Sequence, residues 1–120
     1  MATRLGEGRP RLYVEVEQRA PATDGDRATG VVRARGEVDL ETVDRFADIL
    51  DSRLWSGCEG VLVDLSDVTF MDSTGISALV RADRALGGDG LRLAVAAQPR
   101  SQVEGLLELT GLRKRFPRSL

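Results

Sequence analysis

Strand and helix patterns alternate along this chain, and that alternation constrains the fold more than any other feature. In the middle lies a short, almost wholly apolar run from Val61 to Leu65, which follows Gly60 and is typical of a strand covered on both faces. Stripes of apolar residues at helical spacing lie on either side of this run. A strand–helix–strand–helix succession predicts parallel strands in one sheet with helices packed on it.

Two further strands precede the first helical stripe. Leu12, Val14 and Val16 alternate with polar side chains, and a second strand is predicted from about Thr29 to Val38. The polar turn between them predicts an antiparallel hairpin. We therefore expect an α/β fold with a mixed sheet of about four to five strands.

Three helices are predicted from the apolar stripes. Asp39 can cap the first helix and Gly57 follows its end, whereas residues 87–90 break the second. Pro99 opens the third near its first turn, and Gly111 is placed to end it. The stripes are Val43, Phe46, Ala47, Leu50 and Leu54 in the first helix, Ile76, Leu79, Val80 and Leu86 in the second, and Val103, Leu106 and Leu107 in the third.

The composition argues against most enzyme mechanisms. Histidine is absent and Cys58 is the single cysteine, which excludes a Ser-His-Asp triad, a Cys-His pair and a histidine or thiolate zinc site. Chemistry based on carboxylates or arginines stays open. We expect no catalysis, no cofactor and no metal.

The charge and the apolar pattern also bear on partners and location. A net charge of -2 gives no electrostatic reason to expect nucleic acid or an anionic membrane as the main partner. No run of the sequence suits a signal peptide or a membrane span, and a lone cysteine forms no internal disulfide. A reducing cytoplasm is the expected location.

The turn Asp72-Ser73-Thr74-Gly75 leads from the buried strand into the second helix. Three side chains with oxygen atoms crowd a position where one oxygen would cap the helix, so a plain capped start is one interpretation. Loops at the carboxyl ends of strands are also where α/β sheets bind ligands. A phosphate on Ser73 would suit the helix N-terminus and add about -1.5 to -2 charges beside Asp72. The turn therefore predicts a binding surface that phosphorylation can switch.

Two segments of the chain resemble the STAS family, and most nearly its bacterial anti-sigma factor antagonists. They are Gly36-Glu37-Val38-Asp39 and a longer, more specific run from Val63 to Ile76, and the likeness extends from about Leu12 to Phe116. In that family the antagonist binds an anti-sigma factor that is also a serine kinase, and so frees a sigma factor. The kinase phosphorylates a serine in the Asp-Ser turn, and a phosphatase restores the active form.

The resemblance implies roles for individual residues. Ser73 matches the phosphoacceptor, Asp72 is its flanking acid, and Thr74 offers a second hydroxyl. The implied partner is an anti-sigma factor with serine kinase activity, and the family also allows a weak homodimer. The implied partner-binding residues are Asp39, Asp72, Ser73, Thr74, Gly75 and Ile76.

We expect residues 1–10 to form a flexible lead-in and residues 11–120 to form one domain with a STAS-like mixed β-sheet. Phe116-Pro117 precedes only three residues, so the helix that usually follows this pair in the family is expected to be absent. One alternative function is a STAS subunit of a transporter or larger signalling assembly, acting as a non-catalytic binding module. A second is an enzyme with Ser73 as nucleophile, which lacks an obvious base.

Overall fold

The computed structural model describes residues 11–21 and 23–120, so the lead-in expected over residues 1–10 lies outside the described residues. Within that part of the chain, four strands and four helices follow in the order β-β-α-β-α-β-α-α. The strands are β1 (Leu12–Arg19), β2 (Ala28–Val38), β3 (Cys58–Met71) and β4 (Arg92–Ala96), and the helices are α1 (Val43–Asp48), α2 (Ser73–Gly88), α3 (Gln102–Leu109) and α4 (Leu112–Arg115).

The strands form one mixed sheet in the order β1-β2-β3-β4. β1 pairs antiparallel with β2, whereas β3 lies parallel to both β2 and β4. Parallel neighbours need a crossover connection, and the segments that contain α1 and α2 supply the two crossovers. The predicted α/β class and the opening antiparallel hairpin are therefore confirmed, with four strands in the sheet.

The apolar core lies between the sheet and the helices. Val32, Val63 and Val95 are in register across β2, β3 and β4, and each is fully buried. Phe46 of α1 and Leu79 of α2 belong to the same buried cluster. Burying an apolar side chain of this size stabilises a fold by about 1.5–3 kcal/mol. This packing fixes the helices, and with them the loops at the ends of the strands.

β3 is longer at both ends than the predicted run from Val61 to Leu65. It continues through residues 66–69, of which only Val68 is apolar, because β2 stays paired with it as far as Val38, which lies opposite Met71. β4 pairs only with Gly60–Asp64. Within the described residues, the last part of β3 therefore has a strand neighbour on one side only.

The first helix is shorter than its apolar stripe predicted. α1 ends at Asp48, and a 3₁₀ turn over Ser52–Trp55 follows, in which Leu54 is 53% exposed and Trp55 is buried. The indole of Trp55 lies over Gly30, where a Cβ would come within 2.4 Å of the ring. The large ring therefore takes the place in the core that the stripe assigned to Leu54.

Two other helix boundaries also differ from the prediction. α2 continues through Gly88, and the chain turns only at Gly90, whose φ of +79° favours glycine. α3 begins after Pro99, because Ser101 Oγ caps its first turn by accepting a backbone N–H at 3.1 Å. Gly111 follows α3 with a φ of +79°, as predicted. Across residues 11–21 and 23–120, no helix has the length and apolar content needed to cross a membrane.

A buried ionic cluster joins α3 to the C-terminal segment. The carboxylate of Glu104, which is only 3% exposed, lies 2.7 Å from Arg113 and 2.9 Å from Arg118. Hydrogen bonds from Arg113 lower the pKa of Glu104 most, burial opposes them, and Arg118 adds to the lowering. Nearby, the carbonyl of Pro117 accepts the N–H of Val95 at 2.8 Å, so this segment covers the edge of β4. We refer to Glu104, Arg113 and Arg118 as the Glu104 cluster.

Candidate functional site

The parallel pairing of β2 and β3 brings two loops together at one edge of the sheet. Val38 lies opposite Met71, and the N–H of Asp72 donates to the carbonyl of Val38 at 3.1 Å. The loop of residues 39–42 therefore lies beside the turn of residues 72–75, and these two segments form what we call the carboxyl edge. Open α/β sheets commonly bind ligands at this end of their strands.

Asp72 is the N-cap of α2. Its backbone is extended, and its Oδ1 accepts the N–H of Thr74 at 2.9 Å as well as the Thr74 hydroxyl. The carboxylate thus satisfies one of the free N–H groups in the first turn of the helix. It also engages the hydroxyl of Thr74, so these two half-buried side chains occupy each other.

Ser73 is the first residue of α2, and its side chain is exposed. Among the described residues, no hydrogen bond engages the hydroxyl of Ser73, whereas the hydroxyl of Thr74 donates to Asp72. Of the two hydroxyls that are candidates for phosphorylation, that of Thr74 is therefore hydrogen-bonded and that of Ser73 is not. An exposed hydroxyl at a helix N-terminus can accept an anionic group, because the N–H groups and the helix dipole favour negative charge there.

Gly75 lies inside the edge rather than on its surface. A Cβ at this position would lie 2.6 Å from Met71 Cγ and 3.0 Å from Val38 Cγ1, both in the ends of strands. Only glycine lets the first turn of α2 pack so closely on β2 and β3. Ile76 is half-buried and packs against the core. Of the predicted partner-binding residues, these two therefore support the surface from beneath.

Asp39 is held by an arginine and does not cap α1. The helix begins at Val43 with Thr42 at its N-cap, and Asp39 Oδ1 accepts the N–H groups of Glu41 at 3.0 Å and Thr42 at 3.3 Å. The predicted cap is therefore wrong, because the helix starts later than the sequence indicated. Arg11 lies 2.8 Å from Asp39 Oδ2, and its hydrogen bond is the main reason that the pKa of Asp39 is lowered.

Arg11 ties together three acidic side chains at the end of β2. Besides Asp39, it lies 2.8 Å from Glu37 and 3.3 Å from Glu41. The hydroxyl of Thr42 donates to the carbonyl of Glu37 at 2.8 Å, which adds a second tie across the loop. The loop is therefore ordered before any partner arrives. Among residues 11–21 and 23–120, no group of three or more His, Cys, Asp or Glu side chains is placed to hold a metal ion.

Two apolar side chains are exposed at or near the carboxyl edge. Leu40 projects from the ordered loop with 78% of its surface exposed, and Phe70, three residues before Ser73, is 43% exposed. Sequence patterns did not single out either residue, because apolar periodicity identifies the buried face of an element. A partner that covers the carboxyl edge would remove the apolar surface of these two side chains from water, which favours binding.

Gln102 is a further residue that no sequence pattern singles out. Its side-chain amide accepts the N–H of Met71 at 2.8 Å and donates to the carbonyl of Met71 at 2.7 Å. The contact joins the start of α3 to the end of β3, directly before the turn of residues 72–75. A glutamine at a helix start carries no sequence signal for such a contact, because its partner is 31 residues away in the chain.

A family model described as "Mlab, STAS domain" matches residues 22–118. The chain belongs to the STAS domain family. The anti-sigma-B factor antagonist of Staphylococcus aureus is 30% identical over 82 residues, which cover 68% of this chain and 75% of that protein. The resemblance recognised in Gly36–Asp39 and Val63–Ile76 is therefore confirmed.

Solved structures agree with this assignment. An anti-sigma factor antagonist from Mycobacterium paratuberculosis is 26% identical, with a TM-score of 0.64 over 86% of this STAS chain and 84% of that one. The phosphorylated form of SpoIIAA, a Bacillus cell fate determinant, is 21% identical with a TM-score of 0.60 over 83% of this chain and 85% of that one. The murine anion transporter Slc26a9 is 16% identical with a TM-score of 0.63 over 90% of this chain, but only 21% of the transporter. The last two likenesses show the fold alone.

Proposed function

We propose that this STAS protein is an anti-sigma factor antagonist that is switched off by phosphorylation of Ser73. Its partner is an anti-sigma factor with serine kinase activity, and binding at the carboxyl edge in the cytoplasm frees a sigma factor for transcription. The kinase transfers the γ-phosphoryl group of ATP to Ser73 Oγ, with loss of the hydroxyl proton and release of ADP. A phosphatase then hydrolyses the phosphoserine and restores binding.

The state of the Ser73 hydroxyl is the observation that carries this proposal. Of the polar side chains in the turn, Asp72 and Thr74 are engaged with each other, whereas Ser73 is exposed and has no hydrogen bond within the described residues. A kinase needs a hydroxyl that it can reach without unfolding its substrate. The similarity to the Staphylococcus aureus antagonist supports the class of partner.

A phosphate on Ser73 would act on the partner rather than on the fold. The N-terminus of α2 favours an added anion, so the helix tolerates it. The same charge lies beside Asp72, on an edge that already carries Asp39 and Glu41. A partner shaped to cover a neutral hydroxyl must then desolvate a dianion, which weakens binding.

Mapping the phosphate tests the proposal directly. With the partner kinase and ATP, intact-mass measurement should show one added phosphate on the wild type and on Thr74→Val, and none on Ser73→Ala. Ser77→Ala is the matched control, because Ser77 is an exposed serine one turn further along α2. A phosphate that persists in Ser73→Ala would refute the assignment.

The second candidate function is a STAS subunit of a transporter or larger signalling assembly. The fold that this chain shares with a domain-sized part of Slc26a9 is compatible with such a binding module. A pull-down with the wild-type chain distinguishes the two functions by what it captures. A small protein with kinase activity supports the antagonist, and an ATPase subunit of a transporter supports the alternative.

A further inference from the structure

We propose that Gln102 is a positioning residue for the phosphoacceptor turn, a role that rests on the proposed function of Ser73. Its side-chain amide forms two hydrogen bonds with the backbone of Met71, at 2.8 Å to the N–H and at 2.7 Å to the carbonyl. Met71 stands two residues before Ser73. A single side chain therefore supplies the donor and the acceptor that a neighbouring strand would supply.

The length of β4 explains why β3 needs this contact. β4 pairs with β3 only over Gly60–Asp64, so no strand lies beside Met71 on that side within the described residues. On the opposite side, Asp72 donates its N–H to Val38 of β2. The turn is consequently attached to β2 on one side and to α3 on the other, and Gln102 makes the second attachment.

Met71 transmits the position of Gln102 to the turn. The Met71 side chain is fully buried and lies where a Cβ of Gly75 would be 2.6 Å from its Cγ, so the first turn of α2 rests on it. α3 is itself fixed, because Ser101 caps its start and the Glu104 cluster holds its first turn. Gln102 therefore couples a fixed helix to the backbone that carries Ser73.

The position of Ser73 should affect the rate of phosphoryl transfer more than it affects binding of the kinase. Phosphoryl transfer requires the attacking oxygen to be aligned with the phosphorus atom, and small misplacements lower the rate of the chemical step. The loop of residues 39–42, which also lies at the carboxyl edge, is held by Arg11 and makes no use of Gln102. Loss of Gln102 should therefore lower kcat about tenfold for phosphorylation of Ser73, while KM changes less than about twofold.

Hydrogen exchange tests the pair of hydrogen bonds between Gln102 and Met71, which we call the clamp, without any partner. In Gln102→Ala, protection of the amides of residues 71–75 should fall about tenfold or more, because two partly buried hydrogen bonds are lost. Protection of Val63, in the centre of the same strand, should stay unchanged. Gln18→Ala, on the exposed strand β1, is the control for loss of a glutamine.

Gln102→Glu provides a reversible version of the same test. At pH 7.5 the introduced carboxylate still accepts the N–H of Met71 but presents no donor to its carbonyl, so protection of the turn should fall. A protonated carboxyl group has both a donor and an acceptor, so protection factors should recover towards pH 4. Gln18→Glu, measured at both pH values, controls for the added charge.

The possible results separate the clamp from the proposed function. Unchanged protection of residues 71–75 in Gln102→Ala would overturn the clamp, and so would a loss spread evenly over β3. A local loss of protection with unaltered kcat would overturn the positioning role. If the wild type accepts no phosphate at Ser73, the proposed function fails, while the exchange measurements still decide whether Gln102 holds the turn.

Discussion

The turn of residues 72–75 and the Glu104 cluster are both polar groups at the start of a helix, but they differ in what they leave unpaired. Both carboxylate oxygens of Glu104 are bonded to arginines, and the residue is almost fully buried. In the turn, Asp72 and Thr74 satisfy each other and the hydroxyl of Ser73 stays exposed. A cluster with every group satisfied holds the fold, whereas a leftover exposed hydroxyl can be modified without loss of a structural contact.

The largest effect should come from breaking the buried cluster. Glu104→Ala leaves Arg113, whose side chain is 14% exposed, without its carboxylate. We expect a loss of about 3 kcal/mol in the free energy of unfolding, the low end for a broken buried ion pair, because Arg118 is half-exposed. Urea unfolding measures it, and Glu108→Ala on the exposed side of α3 should change stability by less than about 0.5 kcal/mol. Equal losses in the two variants would remove the contrast with the turn.

The same cluster gives the stability a dependence on pH. The pKa of Glu104 is lowered in the folded state, so the unfolded chain binds the proton more readily. The stabilisation is therefore complete above the pKa of Glu104 in the unfolded chain, which is the ordinary glutamate value of about 4.3. It is lost as the pH falls from that value through the lower pKa of the folded state. Unfolding curves from pH 7 to pH 3 should show the gap between wild type and Glu104→Ala closing. A constant gap would contradict the role of the charge.

The next largest effect should be on binding at the turn. Ser73→Asp places a charge where the proposed partner covers a neutral hydroxyl, and we expect affinity for the anti-sigma factor to fall about thirtyfold, or roughly 2 kcal/mol. Ser73→Ala should bind nearly as tightly as the wild type. Calorimetric titration measures both, with Ser77→Asp as the control for charge on α2. Equal affinity of the wild type and Ser73→Asp would eliminate the switch.

A smaller effect on binding should distinguish the ordered loop from the turn. Leu40→Ala removes most of an exposed apolar side chain, and we expect affinity to fall about tenfold if the partner buries it. Leu54→Ala is the control, because Leu54 is exposed on the 3₁₀ turn that precedes β3, at the opposite end of the sheet. If both leucine variants bind as tightly as the wild type, the interface does not include the loop of residues 39–42.

The smallest effect should be on stability at Ser73 itself. An anion at the start of α2 is tolerated, so Ser73→Asp should change the free energy of unfolding by less than about 1 kcal/mol. Gly75→Ala should be the more damaging change in the same turn, because its Cβ would approach Met71 and Val38 to 3.0 Å or less. Thermal unfolding compares the two. A larger loss in Ser73→Asp would mean that modification acts by unfolding the turn.

Periodicity predicted most of the sheet and the order of its elements, but it placed several boundaries wrongly. The alternation of apolar residues identified β2 to within a residue and the start of β1 correctly. β1 runs on to Arg19, two residues beyond the predicted alternation, and Val16 on its predicted inward face is exposed. The pattern predicted that β3 ends at Leu65, because polar residues follow. Beyond that residue, the strand continues only through its pairing with β2. The pattern also assigned Leu54 to the core, where the ring of Trp55 packs instead. In both cases long-range packing overrode the local pattern.

The sequence by itself determined the α/β class, the family and the turn that carries Ser73, because these depend on local periodicity and on a contiguous motif. The tertiary structure decided which hydroxyl of that turn is unengaged, since this depends on the side chain of Asp72 bonding to Thr74. It also decided that Arg11 holds Asp39 and that Gln102 holds Met71. These pairs are 28 and 31 residues apart in the chain, and only the folding of the sheet brings them into contact.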